Sequence, residues 1–265
     1  MAGHGWKTTT LGSLSEVEDM LLNLHAKQWY HRGQSRYDSL IPKIDRIASG
    51  GLSRIKKLVL ERSSIDLFRS TVRVLGPGEE GAFADDVIAL MVMRHYGVHT
   101  RLLDWSANPY VAAYFACQEG DDNNDGEIWT FSADNYRAKG DEQWTKWPQA
   151  TKGSSGRGDD FDAKLTMFEP TNPPPWLICS FYPRGFPRQQ AQSGFFTLTA
   201  DFNRDHAEAI KSLLNDLNAH HLYIIDKKCK GEARNYLRHN HGVWRGTLFP
   251  DAAGAADTAA SVFPK

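Results

Sequence analysis

Cysteine is scarce: Cys117, Cys179 and Cys229 are the only three in 265 residues, and they stand far apart. They support neither an even-numbered disulfide framework nor a paired-cysteine zinc motif. Long apolar runs are missing as well. None approaches the roughly 20 residues a bilayer-spanning helix needs, and the first thirty residues hold no apolar stretch behind a basic start. A soluble, unexported, cytoplasmic chain without a membrane partner is expected. Charge of one sign is lacking too: 31 Lys+Arg stand against 32 Asp+Glu, a net charge of −1, so no general field draws the chain toward nucleic acid or anionic lipid. The GxxxxGK[ST] phosphate loop and the GxSxG nucleophile elbow are absent, which removes the usual nucleotide-triphosphate fold and weakens serine hydrolysis. Cys117 sits in an apolar helical stretch, a poor setting for a nucleophilic thiol. The nearest approaches to metal-ligand spacing, His95-x3-His99 and His239-x-His241, lack the glutamate of HExxH, and no metal is expected.

What the chain does have is 41% hydrophobic and 11% aromatic residues, enough for a sizeable core. Residues 1–265 read most simply as one domain. Ser13 followed by Glu16 forms a capping box ahead of Leu14, Val17, Leu21 and Leu24, and predicts a helix over 13–27. Gln28 to Gly33 suits a strand ending at a turn, with Arg32 at its end. Helices are expected over 53–75 and 83–96, with Gly97 just past the second. Asn108-Pro109 starts a further helix through Cys117, whose Ala112, Ala113 and Ala116 permit close packing. Strands follow at 127–132, 177–182, 194–200 and 221–227, and helices at 204–219 and through Tyr236. Residues 138–175 read as a long excursion and the Ala-rich end as a loose tail. Helices dominate the first half and strands the second, so the fold class is α+β with mixed or antiparallel strands.

Three segments carry polar residues that a core would not require: Tyr30 to Ser35, Arg94 to Ser106, and Pro187 to Phe195. Gly33 and Gly194 would let a ligand approach the backbone, and Arg32 offers a planar fork for an anion or a ribose hydroxyl. Arg32 could equally be a partly buried arginine paired with a carboxylate such as Asp104. Asp104 could be a catalytic carboxylate or could hydrogen-bond turn amides before Asn108-Pro109.

Together the three segments resemble the FRG domain family. His31 stands where that family's naming motif has an aromatic before Arg32-Gly33-Gln34-Ser35. The more specific pattern is His95 to Gly97, Thr100 to Trp105 and the Ala112 to Ala116 helix, followed by Gln192, Gly194 and Phe196, then Gly242-Val243 and Leu248 to Asp251. The order of these elements looks like the ADP-ribosyltransferase fold, and the resemblance implies a split-sheet core and NAD as co-substrate. It gives Arg32, Asp104 and Gln192 catalytic roles and places Gly33, Gln34, Tyr96, Thr100, Arg101, Ser106 and Arg188 around the nucleotide. Gln192 occupies the position where transferases usually carry glutamate. Cleavage of the ribosyl–nicotinamide bond builds positive charge on the sugar, which a neutral amide stabilises less than a carboxylate does; Asp104 is the candidate replacement. The resulting expectation is a mono-ADP-ribosyltransferase or NAD-cleaving effector or toxin, whose acceptor is a protein, nucleic acid or small molecule. One alternative is a non-catalytic module that senses a nucleotide or docks a partner. Another is a nuclease using Arg184, Arg188, Arg234, Arg238 and His239, against which stands the lack of a carboxylate metal cluster.

Overall fold

The computed structural model describes residues 5–47, 51–76, 78–146, 177–181, 187–199, 201–202, 204–260 and 262. The excursion expected beyond residue 146, Arg184, and residues 182 and 200 of the expected strands lie outside them. Strand β1 (Lys7–Leu11) and helix α1 (Leu14–His25) lead into β2 (Trp29–Gln34), followed by α2 (Lys43–Ile47), α3 (Arg54–Thr71) and α4 (Asp86–His95). Next come β3 (Leu103–Ser106), α5 (Pro109–Ala116), β4 (Gly126–Ser132), α6 (Ala133–Lys146), β5 (Leu177–Phe181), α7 (Pro187–Ala191) and β6 (Gly194–Thr199). The chain closes with α8 (His206–Leu214), β7 (His220–Ile225), α9 (Lys230–His241), α10 (Arg245–Leu248) and α11 (Ala252–Ala260). Helices and a mixed sheet make this an α+β protein.

Local chemistry accounts for the helix ends. Glu16 N–H donates to Ser13 Oγ at 3.3 Å while Ser13 N–H donates to the Glu16 carboxylate at 3.1 Å, closing the capping box. Asn108 Oδ1 accepts from Tyr110 N–H at 2.9 Å, and Pro109 opens α5. Gly97 takes φ +86°, the left-handed turn expected after α4. Four expectations need correction. Residues 138–146 continue α6, and the Ala-rich end is helical over 252–260 because alanine has the highest intrinsic helix propensity. Arg32 lies inside β2, two residues short of its end. Strands also populate the first half: β1 went unforeseen because Lys-Thr-Thr-Thr has no apolar alternation, as befits an edge strand exposed over four of its five residues.

Among the described residues the strand order is β1-β7-β4-β2-β3-β6-β5, parallel between β1 and β7 and antiparallel elsewhere. Side chains alternate across this sheet and sort into the two layers that cover it. On one face Tyr30, Trp105, Trp129, Phe131, Phe195 and Leu222 pack against Ala207, Ile210 and Leu214 of α8. On the other, Ile128 and Ile225 meet α1, α5 and α9, while Phe196 and Leu198 meet α3 and α4.

The feature that positions the site is a break in pairing. The β2–β4 ladder runs through six residue pairs and the β3–β6 ladder through four, whereas β2 and β3 meet at one pair, His31 opposite Ser106. The sheet therefore splits between β2 and β3. Helix α5 lies directly on the β2 side of the split, since a Cβ on Gly33 would overlap the Ala112 carbonyl and one on Gly126 the Ala116 carbonyl.

Candidate functional site

A cleft of about 330 Å³ opens at the split. Arg32 and Gly33 of β2, Asp104 and Ser106 of β3, Phe115 of α5, Arg94 and His95 of α4, Arg188 of α7, Gln192 and Phe249 are among its walls. Arg32, Asp104 and Gln192, expected to converge, line this one cleft.

Arg32 reaches it from the far side of the sheet. Its cross-strand partner, Trp129, belongs to the layer under α8, whereas Asp104 pairs with Phe196 of the α3/α4 layer. The guanidinium passes through the split and its Nη1 donates to the Asp104 backbone carbonyl at 2.6 Å, 3.8 Å from the carboxylate. It takes up a backbone acceptor where ladder pairing with β2 has stopped. Burial lowers the Arg32 pKa to about 10, which leaves it charged at neutral pH.

Arg94 supplies the stronger partner. Its Nε and Nη2 donate to Asp104 Oδ2 at 3.0 and 2.6 Å. Surrounding protein pushes the Asp104 carboxyl upward, but Arg94 and, behind it, Arg32 outweigh this and hold it below its ordinary value. The side chain nonetheless keeps 47% of its surface accessible and faces the cleft as a carboxylate. The pairing with Asp104 expected for Arg32 is present beside the stronger Arg94 pair, and Asp104 lines the cleft; the turn amides of Ala107 and Asn108 go to the Ser193 carbonyl and Ser106 Oγ instead of to Asp104.

The opposite wall is built from the C-terminal third. Arg188 pairs with Asp251 through Nε at 2.7 Å and Nη2 at 2.6 Å, and stacks over Phe249 at 4.9 Å. Gln192 Nε2 donates to the Leu248 carbonyl at 3.0 Å, while the Gln192 backbone carbonyl accepts from Ser106 Oγ at 2.7 Å. Ser106 thus fastens β3 to the segment after α7.

Two histidines, His31 in the wall of the cleft and His206 behind the sheet, are fully buried and neutral. Burial, with a smaller contribution from His25, takes His31 down to about 3; burial, then Arg32 and Arg204, does the same for His206. His31 Nδ1 lies 2.8 Å from the Thr130 hydroxyl. Thr197 Oγ accepts from Trp105 Nε1 at 2.7 Å and lies 2.8 Å from His206 Nδ1. The first contact joins β2 to β4 on one face of the sheet, and the second joins β6 to β3 and to α8 on the other.

Most other expected positions fall elsewhere. Gly33 does line the cleft, and the approach of α5 explains why it is a glycine, since a Cβ would point into that helix. At Gly194 a Cβ would meet the Gln189 side chain. Tyr96, Thr100 and Arg101 do not line the cleft. Tyr96 is 59% exposed and its hydroxyl donates to Glu79 at 3.1 Å. Thr100 is buried, with its Oγ accepting from Leu102 N–H, and Arg101 is buried against Glu61 with its guanidinium 4.2 Å over Phe202. Gln34 sits at the edge, where its Nε2 donates to the Asp38 carbonyl at 2.9 Å. Arg234, held by Asp122, and Arg238, stacked on Trp244, lie with His239 on α9, away from the cleft. Among the described residues no three His, Cys, Asp or Glu side chains gather in a metal-binding group, and no helix is long and apolar enough to cross a membrane.

Residue-by-residue reading missed Arg94, Phe115, Asp251 and Phe249 as site components. Arg94 stands in a polar segment already singled out, at the last turn of an otherwise apolar helix, a placement that could have marked it. No curated protein and no solved structure matches the chain. The stretch that carries Arg32, Arg94 and Asp104 does match a family model, that of the FRG domain, over residues 27–125.

Proposed function

We propose that the cleft takes NAD or a related nucleotide and cleaves its ribosyl–nicotinamide bond, passing ADP-ribose to water or to an acceptor. The observation that carries this reading is the convergence of Arg32, Asp104 and Gln192 on one cleft at a split in the sheet. Arg32, Arg94 and Arg188 favour an anionic ligand, and Phe115 and Phe249 offer apolar surface to a ring. As the C1′–N bond breaks, its electron pair leaves with nicotinamide and positive charge builds on the ribose. Asp104, ionised and facing the cleft, supplies the opposing charge there. Its low pKa makes it an electrostatic partner and a weak base, so the proton released by the attacking nucleophile goes to solvent.

Incubation with NAD tests the reading. Nicotinamide release is expected from the natural protein, with strong loss in Arg32→Ala and Asp104→Ala. Absence of nicotinamide release and of ADP-ribose transfer across protein, nucleic-acid and small-molecule acceptors would overturn it. A second reading, nucleotide binding without turnover, is favoured by one feature: Asp104 is already partnered by two arginines, and Gln192 by the Leu248 carbonyl. Calorimetric NAD binding without product would select it.

A further inference from the structure

A second hollow, of about 220 Å³, adjoins the cleft and shares Arg32, Gly33, Lys43, Arg94 and Phe115 with it. The two differ in chemistry. Each has one carboxylate, Asp104 in the first and Asp38 in the second, and each adds two glutamine amides; the first adds the aromatic rings of Trp105, Phe196 and Phe249 and one further arginine, Arg188, whereas the second adds no ring and two further arginines, Arg36 and Arg46. Arg46 pairs with Asp38, and Arg94 with Asp104. Arg36 acts on Asp121, whose carboxyl is lowered first by hydrogen bonds from Ser35 and Asn124. Lys43, which lines both hollows, has no ion-pair partner among the described residues.

The placement of Lys43 is built into the fold. Helix α2 carries Asp45 on its inner side, where the carboxylate meets Lys57 Nζ of α3 at 2.7 Å with both side chains at most 2% exposed. Arg46 Nε donates to the Ile41 carbonyl at 2.8 Å. A buried ion pair and a backbone contact thus pin a five-residue helix whose cations face outward over the junction.

We propose that this second hollow is a pyrophosphate subsite: the ligand is a nucleoside diphosphate derivative whose nucleoside end lies in the aromatic first cleft and whose phosphates lie among Lys43, Arg36 and Arg32. Arginine forks and a lysine point charge suit phosphate oxygens, whereas a neutral nucleoside would leave these cations uncompensated. The assignment deepens the reading above by naming the part of the ligand that gives affinity, and it does not depend on turnover.

Calorimetry with inorganic pyrophosphate, with NAD and with nicotinamide riboside, on the natural protein and on Lys43→Glu and Arg36→Ala, tests it. Lys43 and Arg36 are exposed, and unchanged thermal melting checks that the variants fold. Pyrophosphate is expected to bind at one site and to compete with NAD. Each variant should weaken both about tenfold and leave nicotinamide riboside unaffected. No binding of pyrophosphate, or equal binding by all three proteins, overturns the subsite. Pyrophosphate binding that responds to the variants, with no nicotinamide release from NAD, keeps the subsite and overturns the proposed reaction. NAD cleavage with an affinity indifferent to both variants does the reverse.

Discussion

Two arginine–carboxylate pairs, whose arginines Arg94 and Arg101 belong to the same polar segment, meet opposite fates. Arg101 and Glu61 close on each other with side chains 1% exposed, sealed by Phe202 between α3 and the start of β3. Arg94 and Asp104 pair equally well in geometry, but the carboxylate stays half exposed at the cleft. The first pair ties elements together. The second keeps charge available at a surface where a ligand can reach it, with Arg94 first and Arg32 after it holding the carboxylate ionised. Identical residue types therefore serve cohesion or recognition according to whether the chain leaves a gap in front of them.

Removing one member of the closed pair should have the largest effect. Arg101→Ala strands a buried Glu61 and is expected to destabilise by about 3–5 kcal/mol in denaturant unfolding, with Arg101→Met plus Glu61→Leu recovering most of that loss. A small loss in the single variant would break the contrast. On the open side, Asp104→Ala should lower nicotinamide release by about 10²–10³-fold, as expected for loss of a group that stabilises transition-state charge. Unfolding measurements on the same variant should show a loss well short of that in Arg101→Ala.

Acid sharpens the comparison. His31 and His206 remain neutral in the folded protein down to about 3, while in the unfolded chain histidine takes a proton near 6.5. The unfolded state binds more protons between those values, so stability is full above about 6.5 and falls as pH drops toward 3. Well inside this window each histidine contributes a slope of about 1.4 kcal/mol per pH unit. Unfolding free energies measured from pH 7 to 4 should become shallower with pH in His206→Asn; an unchanged slope would mean that this ring is not held neutral. The smallest effect belongs to a helix end remote from both pairs. Ser13→Ala removes a cap and should cost about 1 kcal/mol, with cleft chemistry untouched.

Local signals were readable where a residue's role depends on its immediate neighbours. The capping box of α1, the Asn108-Pro109 start of α5 and the left-handed Gly97 follow from backbone groups a few residues away. Gly33 lines the cleft, but the constraint that requires a glycine there was not legible, because it is set by the Ala112 carbonyl about eighty positions along, which sequence spacing does not reveal. Thr100 and Arg101 belong to the same motif as Asp104, yet they precede β3 and turn into the core, while Asp104 enters the strand with its side chain toward the cleft. Contiguity in a motif does not imply a shared direction.

By itself the amino-acid order determined the α+β class, most helix ends and the three polar segments that hold the site's principal charges, because propensity, capping and apolar periodicity act over short distances. Tertiary structure alone decided that β2 and β3 part after one pair, that Arg32 crosses the sheet there, and which arginine faces solvent. Those outcomes depend on how α4, α5 and α7 pack around a gap in hydrogen bonding, a balance among residues far apart in the chain that no local pattern encodes.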